Sequence, residues 1–228
     1  MRSLRFALAA ASLIASTAFA SPTAPTSGVE YITLAQPQPA QTVGKKVEVI
    51  EFFMYHCPAC NALEPSLAAW VKKQGDNVNF KRVHMPMQGA NDPEAHLYLT
   101  LEAMGKLDTL HEKVFHAMHV ERQRMTTDAH MLEWAVKNGL DKAKFLEFWT
   151  SFGVMTKLKR LPAIVTNYKV DGAPTLVVDG RYMTSPEIVR RASKVNDEGQ
   201  LSQQTTQVLD ALVAKVQKDS GAKPAAAK

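Results

Sequence analysis

The chain predicts an α/β fold interrupted by an all-helical insertion. Three observations carry this. Val47 to Val83 reads as strand, helix, strand. Asp92 to Tyr168 then shows apolar residues at helical spacing and no strand signal. Strand signals return over Thr175–Thr184, on either side of an Asp179-Gly180 turn.

Residues 1–20 read as a signal peptide. Arg2 and Arg5 form a basic start, and Phe6 to Phe19 is an apolar stretch short for a membrane span. Ala18-Phe19-Ala20 is a small-x-small cleavage signal, so the mature chain is expected to start at Ser21 and to work outside the cytoplasm. Disulfides persist there. Without Arg2 and Arg5 the net charge of +5 drops by two, to +3. That is too mild to call for nucleic acid, which needs a concentrated basic stripe.

Residues 21–46 are a Pro-, Thr- and Gln-rich extension, with one edge strand at Val29–Leu34. Residues 47–91 form the first α/β part. Val47–Tyr55 is apolar except at Glu48 and Glu51, the pattern of a buried central strand. The helix that follows carries Leu63, Leu67, Trp70 and Val71 on one stripe, and Gly75-Asp76-Asn77 ends it. Val78–Val83 alternates as a second strand, and a strand–helix–strand unit makes the two strands parallel.

Residues 92–168 form the helical insertion. Glu94–Lys106, a helix carrying Leu107, Leu110, Val114 and Met118, a third capped by Thr127-Asp128, and a fourth opened by Asp141 precede a fifth over Val154–Tyr168. Pro162 is expected to kink the fifth. Residues 169–219 return to α/β structure, with a hairpin, a short helix from Ser185-Pro186-Glu187, and a last helix from Ser202 to Lys218. Residues 220–228 are a low-complexity tail, expected to be disordered.

The chemistry points to Cys57-Pro58-Ala59-Cys60. It holds the only two cysteines, directly after the central strand and at the start of a helix. A helix N-terminus offers unsatisfied N–H groups and the positive end of the dipole, so a thiol there ionises readily. The second cysteine lies one turn on, on the same face. Pro58 suits the first helical turn, where its missing N–H is no loss. Zinc needs about four ligands, and only one Cys pair is present, with His56 as a possible third donor. A structural staple would close a longer loop. Redox chemistry is the reading that fits.

Glu51 is a second candidate. A carboxyl inside an apolar strand is costly unless it is partnered or neutral. Burial would raise its pKa; the alternative is an exposed carboxylate at a strand end. Glu112, His116 and His119 share one helical face and could ligate a metal, but are read as a solvated polar face, so no metal is called for. Arg190, Arg191 and Lys194 are likewise read as solvated, with lipid headgroups as the other possibility. Met85 and Met87 are read as gap fillers.

With its helical insertion, the leader, Glu51-Phe52-Phe53 ahead of the Cys pair, and Gly172-Ala173-Pro174-Thr175 ahead of the late hairpin, the chain resembles the DsbA family of bacterial periplasmic thiol:disulfide oxidases over about Val29 to Lys218. The resemblance implies a thioredoxin fold with an all-helical insertion domain. It implies a periplasmic enzyme that passes a Cys57–Cys60 disulfide to reduced secreted proteins and needs no cofactor beyond that pair. A DsbB-type quinone-linked membrane oxidase would restore the disulfide. Cys57 would be the nucleophile, Cys60 the buried resolving thiol, and Glu51 a proton shuttle. Pro174 would be a cis-proline whose neighbour Ala173 offers backbone groups to an extended substrate peptide. Many family members have a His where this chain has Ala59. His56 either compensates or is a rim residue. The rivals are a reductase or isomerase of the same fold and a peptide-binding chaperone. Isomerases of this compartment usually carry a dimerisation domain ahead of the thioredoxin part; residues 21–46 are too short for one, so a monomer is expected.

Overall fold

A computed structural model describes residues 21–41 and 46–221. The leader and all but the first two residues of the tail lie outside them. A five-stranded mixed sheet has the order β1-β5-β4-β2-β3. Its strands are β1 (Ile32–Thr33), β2 (Val47–Phe53), β3 (Val78–His84), β4 (Thr175–Val178) and β5 (Tyr182–Thr184). β2 and β3 are parallel and joined through helix α1 (Pro58–Gln74), as the sequence pattern requires. β4 runs antiparallel to β2 and turns into β5.

Every residue of β2 is buried, because the strand is central and covered on both faces. On one face Val49, Leu176 and Val178 meet Leu63, Leu67 and Trp70 of α1 and Val208, Leu209 and Leu212 of α8 (Glu198–Asp219). On the other, Ile50, Phe52 and Val177 meet Tyr168 and Val170. Each such side chain contributes about 1.5–3 kcal/mol on burial.

Five helices lie between β3 and β4: α2 (Pro93–Ala103), α3 (Leu107–His119), α4 (Asp128–Lys137), α5 (Lys142–Trp149) and α6 (Phe152–Tyr168). They enclose a core of their own, with Leu97, Leu101, Val114, Met131, Phe145 and Leu158. That core reaches Phe53, Tyr55, Cys57 and Cys60, so the insertion covers the Cys pair directly. α6 runs on through Pro162 and α1 through Pro65, each proline removing one i→i−4 bond. Among the described residues, α7 (Pro186–Ser193) and α8 complete the helices.

Several sequence expectations shift in extent. Only Ile32–Thr33 of the expected Val29–Leu34 strand pairs with β5, because β5 itself is three residues long. The last helix starts at Glu198 rather than Ser202, under an Asp197 cap. Asp179 and Gly180 both take positive φ, at 53° and 61°, which gives the tight turn of the β4–β5 hairpin. Gly180 also lies against the Gln38 backbone, whose carbonyl oxygen would be 2.1 Å from any added Cβ. Met85 is buried as a gap filler, but Met87 is exposed.

Candidate active site

α1 begins unlike most helices of this chain. Six of the eight described helices have an Asp, Thr or Ser side chain at the N-cap accepting a backbone N–H. At α1 that position is Cys57, with extended backbone and no side-chain cap, and Pro58 opens the helix. The free N–H groups are therefore left to the sulfur. Cys57 and Cys60 are both free thiols. Cys60 is fully buried and Cys57 nearly so.

The two thiols ionise very differently. A hydrogen bond from the Cys60 thiol is the largest influence lowering Cys57, the Ala59 and Cys60 N–H groups add to it, and the nearby His56 charge helps. Against burial, these bring Cys57 down to about 6. The same bond, then burial, pushes Cys60 far above the ordinary thiol range. As a thiol, Cys57 Sγ also donates to the Ala173 carbonyl at 3.3 Å. The Ala173–Pro174 peptide bond is cis. A cavity of about 650 Å³ opens beside it, bordered by Ala59, Leu34, Met183, Ile188, Arg190 and Arg191.

Glu51 is fully buried, not at an exposed strand end. Arg82 Nε donates to its Oε2 at 2.8 Å, and a second Arg82 nitrogen reaches Glu64 Oε1 at 2.7 Å. Glu51 Oε1 has no partner. Burial lifts Glu51 to about 7 despite the Arg82 charge, and the Glu64 and Cys57 charges push the same way. Burial also raises Glu64, but His111 and Arg82 more than offset it and leave that carboxyl below its usual range.

The two residues before Cys57 are held by side chains from three other elements. Tyr55 N–H donates to His84 Nε2 of β3 at 3.2 Å, and Tyr55 Oη lies 2.9 Å from His111 Nδ1 of α3. His119 Nε2 donates to the Tyr55 carbonyl at 2.7 Å. His56 N–H donates to Glu94 Oε2 at 3.1 Å, and its Nδ1 lies 2.8 Å from the same oxygen. This corrects the solvated reading of the α3 face: His116 is exposed and pairs with Glu121, whereas His119 turns inward onto the active-site loop. Among the described residues, no cluster of three or more His, Cys, Asp or Glu is arranged to hold a metal.

Sequence reasoning singled out Cys57, Cys60, Pro58, Ala59, His56, Glu51, Ala173 and Pro174, and the fold brings all eight to the start of α1. It missed Arg82, Glu64, Glu94, His84 and His111. The usable signal for Arg82 was the parallel pairing of the two strands, which sets Glu51 opposite Arg82.

The sequence profile of the DSBA-like thioredoxin domain matches residues 48–192. The chain belongs to this DsbA-like thioredoxin family. It is 37% identical over 205 residues to the thiol:disulfide interchange protein DsbA of Burkholderia cepacia, covering 90% of this chain and 92% of that protein. The protein of the same name from Bordetella parapertussis is 42% identical over 179 residues, covering 78% and 85%. Among solved structures, Pseudomonas aeruginosa DsbA superposes with a TM-score of 0.75 at 30% identity, over 86% of this chain and 96% of that one. The DsbA-like fold, a thioredoxin sheet with a helical insertion, is thus that of its relatives.

Proposed function

We propose that Cys57 is the nucleophilic cysteine and Cys60 the resolving one of a disulfide-donating enzyme. As a DsbA-like protein the chain is a thiol:disulfide oxidoreductase. The observation that carries the residue assignment is the unequal pair at the start of α1, an easily ionised thiol beside a buried one that resists ionisation.

In the oxidised enzyme a substrate thiolate attacks Cys57 Sγ, and the Cys57–Cys60 bond breaks. Cys60 leaves as a thiolate and takes up a proton. Glu51 can supply it, since its pKa of about 7 keeps a proton available near neutral pH. A second substrate thiolate then attacks the substrate sulfur of the mixed disulfide, and Cys57 departs as a thiolate. The substrate has lost two electrons, and the enzyme holds them as a dithiol. A leaving thiol whose pKa is lowered to about 6 departs readily as a thiolate at neutral pH and favours this direction.

The Ala173 backbone at the cis-proline offers main-chain pairing to an extended peptide, and the adjacent cavity gives its side chains room. Main-chain pairing reads no particular side chain, which suits reduced secreted proteins as a broad class of substrate. The basic start, apolar stretch and Ala18-Phe19-Ala20 of residues 1–20 favour a cleaved leader and with it a periplasmic location. Reoxidation then falls to a membrane oxidase of the DsbB type. The working unit is a monomer of two α/β parts, 47–91 and 169–219, divided by the helical insertion over 92–168.

The test is a pair of variants and a titration. Cys57→Ser is expected to abolish thiol oxidation. Cys60→Ser leaves Cys57 to attack protein disulfides and form mixed disulfides that nothing resolves, visible by mass spectrometry. Equal trapping by both variants would overturn the assignment. A glutathione titration giving a strongly reducing pair would favour a reductase instead, and full function without either thiol a chaperone.

A further inference from the structure

Ala59 leaves the Cys-x-x-Cys loop without an ionisable inner residue, yet a histidine stands immediately before Cys57. Its geometry is not that of a loose rim side chain. Both the His56 backbone N–H and its ring Nδ1 are directed at one carboxylate, that of Glu94, at 3.1 and 2.8 Å. Glu94 lies in the first turn of α2, whose Asp92 cap and Pro93 fix where the helix begins. The Glu94 side chain is mostly buried, at 12% exposure, while that of His56 is 47% exposed. The carboxylate is therefore the fixed partner and the imidazole the one being held.

We propose that Glu94 is a positioning residue that holds His56 beside Cys57 as a cation at neutral pH, so that a histidine outside the Cys-x-x-Cys loop supplies the charge the loop itself lacks. Nδ1 is committed to Glu94, while the half-exposed ring stays in contact with solvent. Every charged or titratable group around the ring bears on this. Glu94 and Asp92 from α2, and the Cys57 thiolate, favour the cation. His84 Nε2 from β3 lies 3.5 Å from the same Glu94 oxygen. His119 of α3 and Arg124 border a cavity of about 230 Å³ together with His56 and Glu94, and burial acts against the cation. The anion in direct contact outweighs burial, and the His56 pKa lies above its ordinary value, with the Glu94 hydrogen bond as the largest cause. Burial raises Glu94, but the His56 hydrogen bond is the largest of the influences that bring it down to about 2, so it remains an anion wherever the enzyme works.

This inference rests on Cys57 being the ionised nucleophile, and its test separates the two claims. The free energy by which His56 favours the thiolate must equal that by which the thiolate favours protonated His56. NMR titration of the His56 ring in the oxidised and reduced protein reads that quantity directly. The expected result is a higher His56 pKa in the reduced protein, by about twofold or more in proton affinity. Glu94→Gln should lower the His56 pKa in both redox states. At pH 7.5 it should shift the glutathione equilibrium several-fold toward the oxidised enzyme, as should His56→Ala, whereas Glu94→Gln added to His56→Ala should shift it no further. A His56 pKa independent of redox state overturns the proposal while leaving the roles of the two cysteines intact. An equal effect of Glu94→Gln with and without His56 overturns it too, because a merely structural Glu94 would act in both backgrounds. Failure of the Cys60→Ser trap would instead strike the assignment of Cys57.

Discussion

Glu51→Gln is predicted to stabilise the reduced protein near neutral pH and to do so least in acid. The carboxyl is fully buried, Arg82 serves only one of its oxygens, and burial moves its pKa from 4.5 to about 7. A carboxyl whose pKa rises on folding holds its proton more tightly in the folded state than in the unfolded chain. Its contribution is therefore most favourable below pH 4.5, where both states are protonated. It is lost as pH climbs toward 7, since the unfolded chain ionises first. The full interval corresponds to about 3 kcal/mol. Glutamine mimics the protonated acid and can still accept the Arg82 N–H through its amide oxygen. The stability gap between variant and native protein should be smallest at pH 4, open through pH 5–7 and level off at about 2–3 kcal/mol by pH 8. Urea unfolding under reducing conditions at pH 4, 6 and 8 measures it. A gap that does not change with pH would falsify the reasoning, as would a native protein more stable than the variant at pH 8. Either would mean that Arg82 holds Glu51 ionised throughout, as in an ordinary ion pair.

Reduction should stabilise the fold, by more at higher pH. A Cys57 thiol lowered from 9 to about 6 on folding favours the folded dithiol by about 4 kcal/mol above pH 9, by about 1.4 kcal/mol at pH 7, and by little below 6; an oxidised protein that melts higher across this range would make the bridge a structural one. Ala59→His should make the enzyme a stronger oxidant, by roughly 30 mV for each pKa unit removed from Cys57; paired thiolate absorbance and glutathione titrations check it, and a thiolate already saturated by His56 and the backbone would leave both unmoved. Gly180→Ala should cost about 1–3 kcal/mol in thermal or urea unfolding, because φ there is +61° and a Cβ would meet the Gln38 carbonyl at 2.1 Å; an unchanged melting curve would contradict that contact.

What could be read from the sequence was what depends on local pattern. The helices of the insertion announce themselves through apolar spacing and through Thr127 and Asp141, which do cap α4 and α5. The Asp179-Gly180 turn and the buried strand expected over Val47–Tyr55 are likewise local facts, though the strand ends two residues earlier, at Phe53. The edge strand was overestimated because Val29–Leu34 has the right alternation but only a short partner in β5, and pairing length is set by both strands. Glu94 could not be assigned at all. It lies 38 residues from His56, and their meeting depends on where α2 starts relative to the end of β2. Glu64 and His111 escaped for the same reason, since a charged residue in a helix reads as solvated until another element is known to cover it. Arg82 was within reach, because the parallel register sets it opposite Glu51 and a buried carboxyl demands a partner.

Six helices other than α1 are completed by a side-chain oxygen at the N-cap. α1 has instead a sulfur, which becomes an effective acceptor for the waiting N–H groups only when it carries a negative charge. In the disulfide that charge is absent and the helix end is poorly served. In the dithiol Cys57 ionises, the Ala59 and Cys60 N–H groups gain their acceptor, and the Cys60 thiol donates as well. Reduction of the pair and completion of the helix cap are thus one event. Part of the free energy that favours disulfide transfer to a substrate then comes from completing this cap, alongside the Cys60 thiol hydrogen bond and the His56 charge. A side-chain oxygen able to cap α1 in both redox states would compete with the sulfur for the same N–H groups, and the pair would become less oxidising. The absence of such a group at the start of this helix is, on this account, as much part of the active site as the two cysteines.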